Sequence, residues 1–191
     1  MSTKQIHRVW YIFICDTKIK KRSDYKGKSN SNKACGDINT WKVEAVTDMI
    51  NLFKSKYSFN CNISNWDVSN VTDMNCAFCS AANFNQDLGS WDVSNVTDMA
   101  NMLSDTQFDY DISSWDVSKV RDMRSLFSGI TPFNQDISSW NVSNVTNMRD
   151  MFWGNRQFNQ DISSWNVSKV TTMSGMFRYT SFNQDISNWN V

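Results

Sequence analysis

Few side chains of this sequence have the type and spacing that catalysis or metal binding requires. Cys76 and Cys79 form a Cys-x-x-Cys pair, and His7 is the single histidine of the chain. One such pair, with no second pair in the sequence, cannot supply the tetrahedral ligand set of a zinc site. The five cysteines are odd in number and occupy no fixed position in the repeat described below. We therefore expect cysteines that fill small apolar spaces rather than a disulfide framework.

Aspartates precede tryptophans at a constant distance and could suggest a calcium site. They stand four residues before most of the repeated tryptophans, at Asp37, Asp87, Asp111, Asp136, Asp161 and Asp185, with Asn62 in the remaining place. Calcium requires about six to eight oxygens that converge on one ion, and no glycine-bearing calcium loop accompanies this column. We expect these side chains to accept hydrogen bonds from backbone N–H groups at turns. Because no nucleophile is paired with a base, the sequence predicts no catalytic residue, no metal site, no cofactor and no enzymatic activity.

A tandem repeat organises most of the chain. Its tryptophans are Trp41, Trp66, Trp91, Trp115, Trp140, Trp165 and Trp189, with spacings of 25 (66 − 41), 25, 24 (115 − 91), 25, 25 and 24 residues. A methionine follows eight residues after all but the last of them, at Met49, Met74, Met99, Met123, Met148 and Met173. A fixed period of this size is typical of stacked repeats, whose apolar faces form one continuous core. We therefore predict that both columns are structural core.

The apolar spacing within one repeat predicts its secondary structure. In residues 137–145 the Trp and the first Val stand two apart, so they point the same way in an extended chain. Residues 145–152 then carry apolar side chains at helical spacing. The sequence thus predicts an α/β repeat solenoid, leucine-rich-repeat-like, with one short parallel strand and one short α or 3-10 helix per repeat of 24–25 residues. It covers residues 36–191, about six full repeats plus a truncated seventh, after a basic non-repeat segment, 1–35, that is poorly defined or a partial cap.

Charge is unevenly distributed although the chain is neutral overall. Of 19 basic and 19 acidic residues, nine basic and two acidic ones fall in residues 1–36, which leaves ten basic (19 − 9) and seventeen acidic (19 − 2) in the remainder. The balanced total predicts no nucleic-acid partner. The basic segment either tethers the chain to an anionic surface or keeps it soluble. No stretch approaches the roughly 20 apolar residues that cross a bilayer, so we predict no membrane span.

The repeat unit resembles a known family. Residues 158–177 read Phe-Asn-Gln-Asp-Ile-Ser-Ser-Trp-Asn-Val-Ser-Lys-Val-Thr-Thr-Met-Ser-Gly-Met-Phe. This unit closely resembles the DUF285-type (Mycoplasma-type) repeats of the BspA-like leucine-rich repeat surface proteins, and the similarity covers Gly36 to Val191. The resemblance implies a non-enzymatic surface or secreted protein engaged in adhesion, with an extracellular or cell-surface location.

We predict a binding face for a protein or glycan partner at the first and third positions after each Trp. Its candidate residues are Lys42, Glu44, Asp67, Ser69, Asp92, Ser94, Asp116, Ser118, Asn141, Ser143, Asn166 and Ser168. Because these positions are chemically uniform, the pattern favours a broad contact of many weak interactions over a deep pocket.

Two alternative functions stay open. The first is a structural or self-associating array, in which the incomplete final repeat exposes an apolar edge and associates end to end. The second is an ice-binding solenoid, which a column of threonine hydroxyls at regular spacing could form. That column contains Thr47, Thr72, Thr97, Thr146 and Thr171, and Arg121 interrupts it.

Overall fold

The computed structural model describes residues 38–191. The segment 1–35, together with His7 and Asp37, lies outside the described residues. A 3-10 helix, Ile38–Thr40, is the one helix of the described part. The rest consists mainly of turns. Isolated parallel β-bridges join successive repeats and link, in order, Asp48, Asp73, Asp98, Asp122, Asn147 and Thr172.

The predicted strand of each repeat is wrong, because the chain turns where an extended run was expected. The backbone N–H of Trp140 donates to the carbonyl of Ile137 at 3.1 Å, and that of Val145 donates to Val142 at 2.9 Å. Hydrogen bonds between residues three apart close turns. Asp, Asn and Ser fill the positions between the apolar residues, and their side chains favour turns by bonding to the nearby backbone. The apolar side chains still point inward, which is why their spacing imitates that of a strand.

The predicted helix is also wrong, because two positions of each repeat have a left-handed backbone. Ten residues after each Trp, φ is 57° at Asn51, 55° at Cys76, 57° at Asn101, 53° at Ser125, 54° at Asp150 and 71° at Gly175. Fourteen residues after each Trp, φ is 57° at Ser55, 56° at Ser80, 53° at Asp105, 100° at Gly129, 75° at Gly154 and 60° at Tyr179. A single left-handed residue interrupts a right-handed helix. Each repeat is therefore a coil of successive turns, and the α/β solenoid with a strand and a helix per repeat is not the fold.

Backbone N–H groups in this part of the repeat alternate between two kinds of acceptor. Every second N–H donates to a carbonyl one repeat further along, as do those of Met148, Asp150, Phe152 and Gly154, at 2.8–3.0 Å. The N–H groups between them donate three residues back, as Met151 does to Met148 at 3.2 Å. About half of these groups thus find their acceptor in the neighbouring repeat, so one repeat cannot satisfy its own backbone.

Phenylalanines from two positions of each repeat pair face to face inside the stack. The ring centroids of Phe127 and Phe133 are 3.8 Å apart, and those of Phe152 and Phe158 are 3.9 Å apart. The same rings stack between repeats, with 5.8 Å from Phe127 to Phe152 and 6.4 Å from Phe133 to Phe158. All of these side chains are buried. The stacked rings add directional packing to the burial of apolar area.

The indole N–H groups also bond between repeats. Trp140 Nε1 donates to the carbonyl of Ile112 at 3.1 Å, and the equivalent bond forms at Trp66, Trp91, Trp115, Trp165 and Trp189. The structure buries Trp66, Trp91, Trp115, Trp140, Trp165, Met49, Met74, Met99, Met123 and Met148. Trp41, Met173 and Trp189 are partly buried and pack against this core. The tryptophan column therefore supplies both apolar area and hydrogen bonds that fix how one repeat sits on the next.

Candidate functional site

The predicted binding face lies on one edge of the stack, where each coil turns after its tryptophan. We call the position directly after each Trp the Asx edge. Its members Lys42, Asp67, Asp92, Asp116, Asn141 and Asn166 are all exposed. Two residues further on, Glu44 and Ser168 are exposed, while Ser69, Ser94, Ser118 and Ser143 are partly buried. The structure therefore places the predicted face along one line that crosses successive repeats.

The aspartates of the Asx edge are held by the turns that they close. Asp67 Oδ1 accepts hydrogen bonds from the backbone N–H of Ser69 at 3.1 Å and from its hydroxyl at 2.6 Å. In the other repeats the backbone N–H of the serine two residues later donates to Asp92, Asp116, Asn141 and Asn166 at 3.0–3.2 Å. The serine hydroxyl bond and then the backbone bond hold the pKa of Asp67, Asp92 and Asp116 below its ordinary value. These side chains are thus charged and oriented at neutral pH.

The aspartates four residues before each Trp form a second, similar column. Asp111 Oδ1 accepts the backbone N–H of Ser113 at 2.8 Å, and the equivalent bond is made by Asn62, Asp87, Asp136, Asp161 and Asp185. The predicted Asx role is confirmed for these members. The backbone bond is the main cause that lowers the pKa of Asp111, Asp136, Asp161 and Asp185. Each of these carboxylates sits at a turn of its own rather than around a common ion.

A third polar column binds repeats to one another through side-chain oxygens. Asn134 Oδ1 accepts the backbone N–H of Asn159 at 2.9 Å, and Asn159 Oδ1 accepts that of Asn183 at 2.9 Å. Earlier in the chain, the backbone N–H groups of Asn85, Asp109 and Asn134 donate in the same way to the side-chain oxygens of Asn60, Asn85 and Asp109, respectively. These side-chain oxygens satisfy backbone N–H groups at the loop and join neighbouring coils.

The aspartates at the β-bridges stack directly on one another. Burial raises the pKa of Asp73, and the charges of Asp98 and Asp48 raise it further. Asp73 Oδ1 nevertheless caps the backbone N–H of Asn75 at 2.9 Å, so its orientation is set by a turn. Within residues 38–191, no group of three or more potential ligand side chains could hold a metal ion.

The threonine column stacks as the sequence suggested, but the hydroxyls of Thr72, Thr97, Thr146 and Thr171 are engaged. Thr72 Oγ1 donates to the carbonyl of Thr47 at 3.2 Å, and Thr97 Oγ1 donates to that of Thr72 at 3.1 Å. The hydroxyls of Thr146 and Thr171 bond in the same way. The hydroxyl protons therefore serve contacts between repeats. Ice binding stays a prediction that a measurement of thermal hysteresis would decide.

The cysteines divide into two kinds. Cys61 is disulfide-bonded, so the expectation of cysteines that act only as small fillers is wrong for this residue. Cys76 and Cys79 are free thiols. Burial raises the pKa of the Cys76 thiol to about 11, because an ionised sulfur is poorly solvated there. Cys76 is thus a protonated, unreactive thiol at neutral pH.

One surface feature was missed from the sequence. Large apolar side chains lie exposed near the left-handed turns of the last repeats, with 40% of Trp153, 60% of Tyr179 and 88% of Ile130 accessible to solvent. In the sequence these residues can be recognised because other repeats hold different residue types at the same positions. The repeat pattern does not reveal them, because it consists of the residues that the repeats share.

Comparison with known proteins identifies the family. Two matches to the family described as Mycoplasma protein of unknown function, DUF285, cover residues 23–120 and 105–191. No curated protein and no solved structure matches the chain. The single helix of the described range lacks the length and apolar character needed to cross a membrane. The matches confirm the DUF285 part of the sequence resemblance and say nothing of BspA-like leucine-rich repeat proteins. The chain therefore belongs to the DUF285 family.

Proposed function

We propose that this protein is a non-enzymatic, surface-exposed or secreted adhesion protein, like the BspA-like proteins its repeats resemble. In this proposal the Asx edge contacts a protein or glycan partner. The observation that carries the proposal is the line of exposed, turn-held aspartates in consecutive repeats, at Asp67, Asp92 and Asp116. Bridged backbones lie about 4.8 Å apart, so the line offers closely and evenly spaced charges.

Such an edge is suited to binding because its side chains are already ordered. Binding normally costs free energy when mobile side chains become fixed, and the Asx bonds reduce that cost. Each contact with a small exposed group is weak, but a partner that touches several repeats gains from all of them together. The proposed interaction is therefore broad and depends on the number of repeats engaged.

The same bonds favour binding over catalysis. A carboxylic acid that transfers protons near neutral pH needs a pKa raised toward the working pH. The pKa values of Asp67, Asp92 and Asp116 are instead lowered by their hydrogen bonds to serine. These groups remain anions that can pair with donors on a partner.

The test removes charge from the edge while it keeps the turns. The variant combines Asp67→Asn, Asp92→Asn and Asp116→Asn, because asparagine accepts the same backbone bond, as Asn141 and Asn166 do. The matched control combines Asp111→Asn, Asp136→Asn and Asp161→Asn, which removes equal charge from the other Asx column. Binding is measured on a panel of immobilised extracellular-matrix proteins and glycans.

We expect saturable binding to at least one member of the panel, weakened about tenfold by the edge variant, or about 1.4 kcal/mol. The control variant should bind like the unaltered protein. A panel without any binding, or equal losses in the two variants, would contradict the proposal.

A further inference from the structure

Two aromatic side chains form an exposed cluster away from the Asx edge. The rings of Trp153 and Tyr179 meet edge to face, with centroids 5.9 Å apart and an interplanar angle of 78°. The two side chains belong to adjacent repeats, which are joined by the backbone bond from Gly154 N–H to the carbonyl of Arg178 at 2.8 Å. We call Trp153, Arg178 and Tyr179 the aromatic patch.

The folding of the repeat does not explain these side chains. Thirteen residues after Trp, where Trp153 stands, other repeats hold Lys54, Cys79, Ser104 and Ser128. Fourteen residues after Trp, where Tyr179 stands, they hold Ser55, Ser80, Asp105, Gly129 and Gly154. The coil therefore closes equally well without either ring.

Tyr179 is unfavourable for folding on two grounds. Its φ of 60° lies in the left-handed region, which is strained for a residue with a large side chain. Its side chain remains largely in solvent, so little burial of apolar area offsets that strain. The left-handed φ recurs at this position in the other repeats, so it belongs to the coil; what is particular to Tyr179 is a large ring where they hold Ser, Asp or Gly.

Arg178 gives the patch its charge. Its guanidinium carbon lies 4.8 Å from the centre of the Tyr179 ring, and its Nη2 donates to the tyrosine hydroxyl at 3.0 Å. These contacts hold the guanidinium in place and use one of its several N–H donors. A planar guanidinium with further donors is suited to bidentate bonds with a carboxylate or sulfate.

Two further arginines stand near Trp153 in the sequence. Arg149 and Arg156 are four and three residues from it and are exposed. Arg149 is paired with Asp150 at 3.1 Å, which offsets its charge, so the positive charge in contact with the patch is that of Arg178. The combination of exposed rings and arginines differs from the Asx edge, whose charges are mainly negative.

We propose that the aromatic patch binds an anionic saccharide. The apolar face of a sugar ring would pack against Trp153 or Tyr179, and its carboxylate or sulfate would accept hydrogen bonds from Arg178. Charge complementarity distinguishes this ligand from a neutral sugar. The site is independent of the Asx edge and does not rest on the function proposed for it.

The test compares two uncharged substitutions that restore residues found in other repeats. Tyr179→Gly copies Gly129 and Gly154, and Trp153→Ser copies Ser104 and Ser128. Because neither changes the charge of the protein, general attraction between polyanions and the basic residues is unaltered. Tyr57→Ser, which removes a ring that is 65% exposed in a distant repeat, is the matched control. Binding of the full chain to immobilised heparin, hyaluronate, dextran and polyglutamate is measured at physiological salt.

We expect binding to heparin or hyaluronate, and binding to hyaluronate would show that a carboxylate alone is sufficient, because heparin carries both carboxylates and sulfates. Tyr179→Gly and Trp153→Ser should each weaken it about tenfold or more, as for residues at the centre of an interface. Tyr57→Ser should bind normally. The urea midpoint of Tyr179→Gly should be unchanged or higher, because glycine relieves the left-handed strain.

Several results would overturn the proposal. Equal binding to dextran would show that charge is not recognised, and stronger binding to polyglutamate would point to an acidic protein. Unchanged affinity in both patch variants, or no binding to either anionic saccharide, would exclude the site. A fall in the urea midpoint of Tyr179→Gly would show that the ring serves folding instead.

Discussion

Aromatic rings occur in two settings in this protein, and the settings have different geometry. Inside the stack, Phe127 and Phe133 lie nearly parallel at 3.8 Å, in contact with rings of the adjacent repeats. At the surface, Trp153 and Tyr179 meet edge to face and remain accessible to solvent. The internal rings recur in nearly every repeat because each repeat needs them to pack on the next. Within residues 38–191 this exposed pair of contacting rings occurs once, so its presence calls for a reason other than packing.

The largest expected effect is the removal of an internal ring. Phe127 is 1% exposed and contacts rings on three sides, those of Phe133, Trp140 and Phe152. Phe127→Ala should lower the free energy of unfolding by about 3–5 kcal/mol, since it removes buried area and leaves a cavity. Phe127→Leu should cost less, because Leu103 occupies the same position in another repeat. Urea denaturation followed by tryptophan fluorescence measures both.

An internal and an external indole offer a second, smaller contrast. Trp140→Phe removes the donor to the Ile112 carbonyl and leaves that carbonyl buried without this partner. The carbonyl keeps its bond from the backbone N–H of Trp115 at 3.1 Å, so we expect a loss of about 0.5–1.5 kcal/mol in the free energy of unfolding. Trp153→Phe changes a half-exposed side chain and should alter it by about 0.5 kcal/mol or less. Equal losses in the two variants would show that Trp153 belongs to the folding core after all.

Acid should lower the stability of the protein through its surface aspartates rather than through the aromatic core. This is the smallest of the three expected effects on stability. Asp67, Asp92, Asp111, Asp116, Asp136, Asp161 and Asp185 have a folded pKa below the ordinary value of 3.8. Their contribution to stability is complete above that value and is lost as pH falls through the folded pKa. Burial raises the pKa of Asp73 and Asp105, whose contributions change in the opposite direction.

The aspartates with a lowered pKa outnumber those with a raised pKa. We therefore expect the urea midpoint to decrease as the pH is lowered from about 5 to about 3. The variant with asparagine at positions 67, 92 and 116 removes three of these titrations and should show a weaker pH dependence. A urea midpoint that rises as the pH falls would mean that Asp73 and Asp105, whose pKa is raised, dominate instead.

The sequence predicted the inward columns but not the backbone that carries them. Trp140 and Val142 point inward as expected, yet turns rather than a strand produce this spacing. Hydrophobic spacing reports which side chains are buried and cannot distinguish an extended run from a series of turns when Asp, Asn and Ser lie between them. The left-handed φ of Asn51 or Ser125 has no dependable sequence signal, since several residue types fill that column.

For the exposed positions too, the sequence predicted which residues form the Asx edge but did not predict their hydrogen bonds or the aromatic patch. The Asx edge was predicted because its residues repeat, and its exposure follows from alternation with the buried valines. The hydrogen bonds that orient Asp116 and lower its pKa depend on turn geometry, which the predicted strand did not contain. The aromatic patch depends on two repeats that stack closely, a contact between residues 26 apart (179 − 153) that no local pattern reveals.

The backbone bonds from each coil to the next point along the stack, and this direction has a mechanical consequence. Tension applied to the two ends loads these bonds along their length, one interface at a time, rather than shearing many of them together. Coils would therefore detach singly. Each detached coil of 25 residues would extend the chain by roughly 80–90 Å. A protein anchored at one end and attached to a partner at the other would yield in small steps under load.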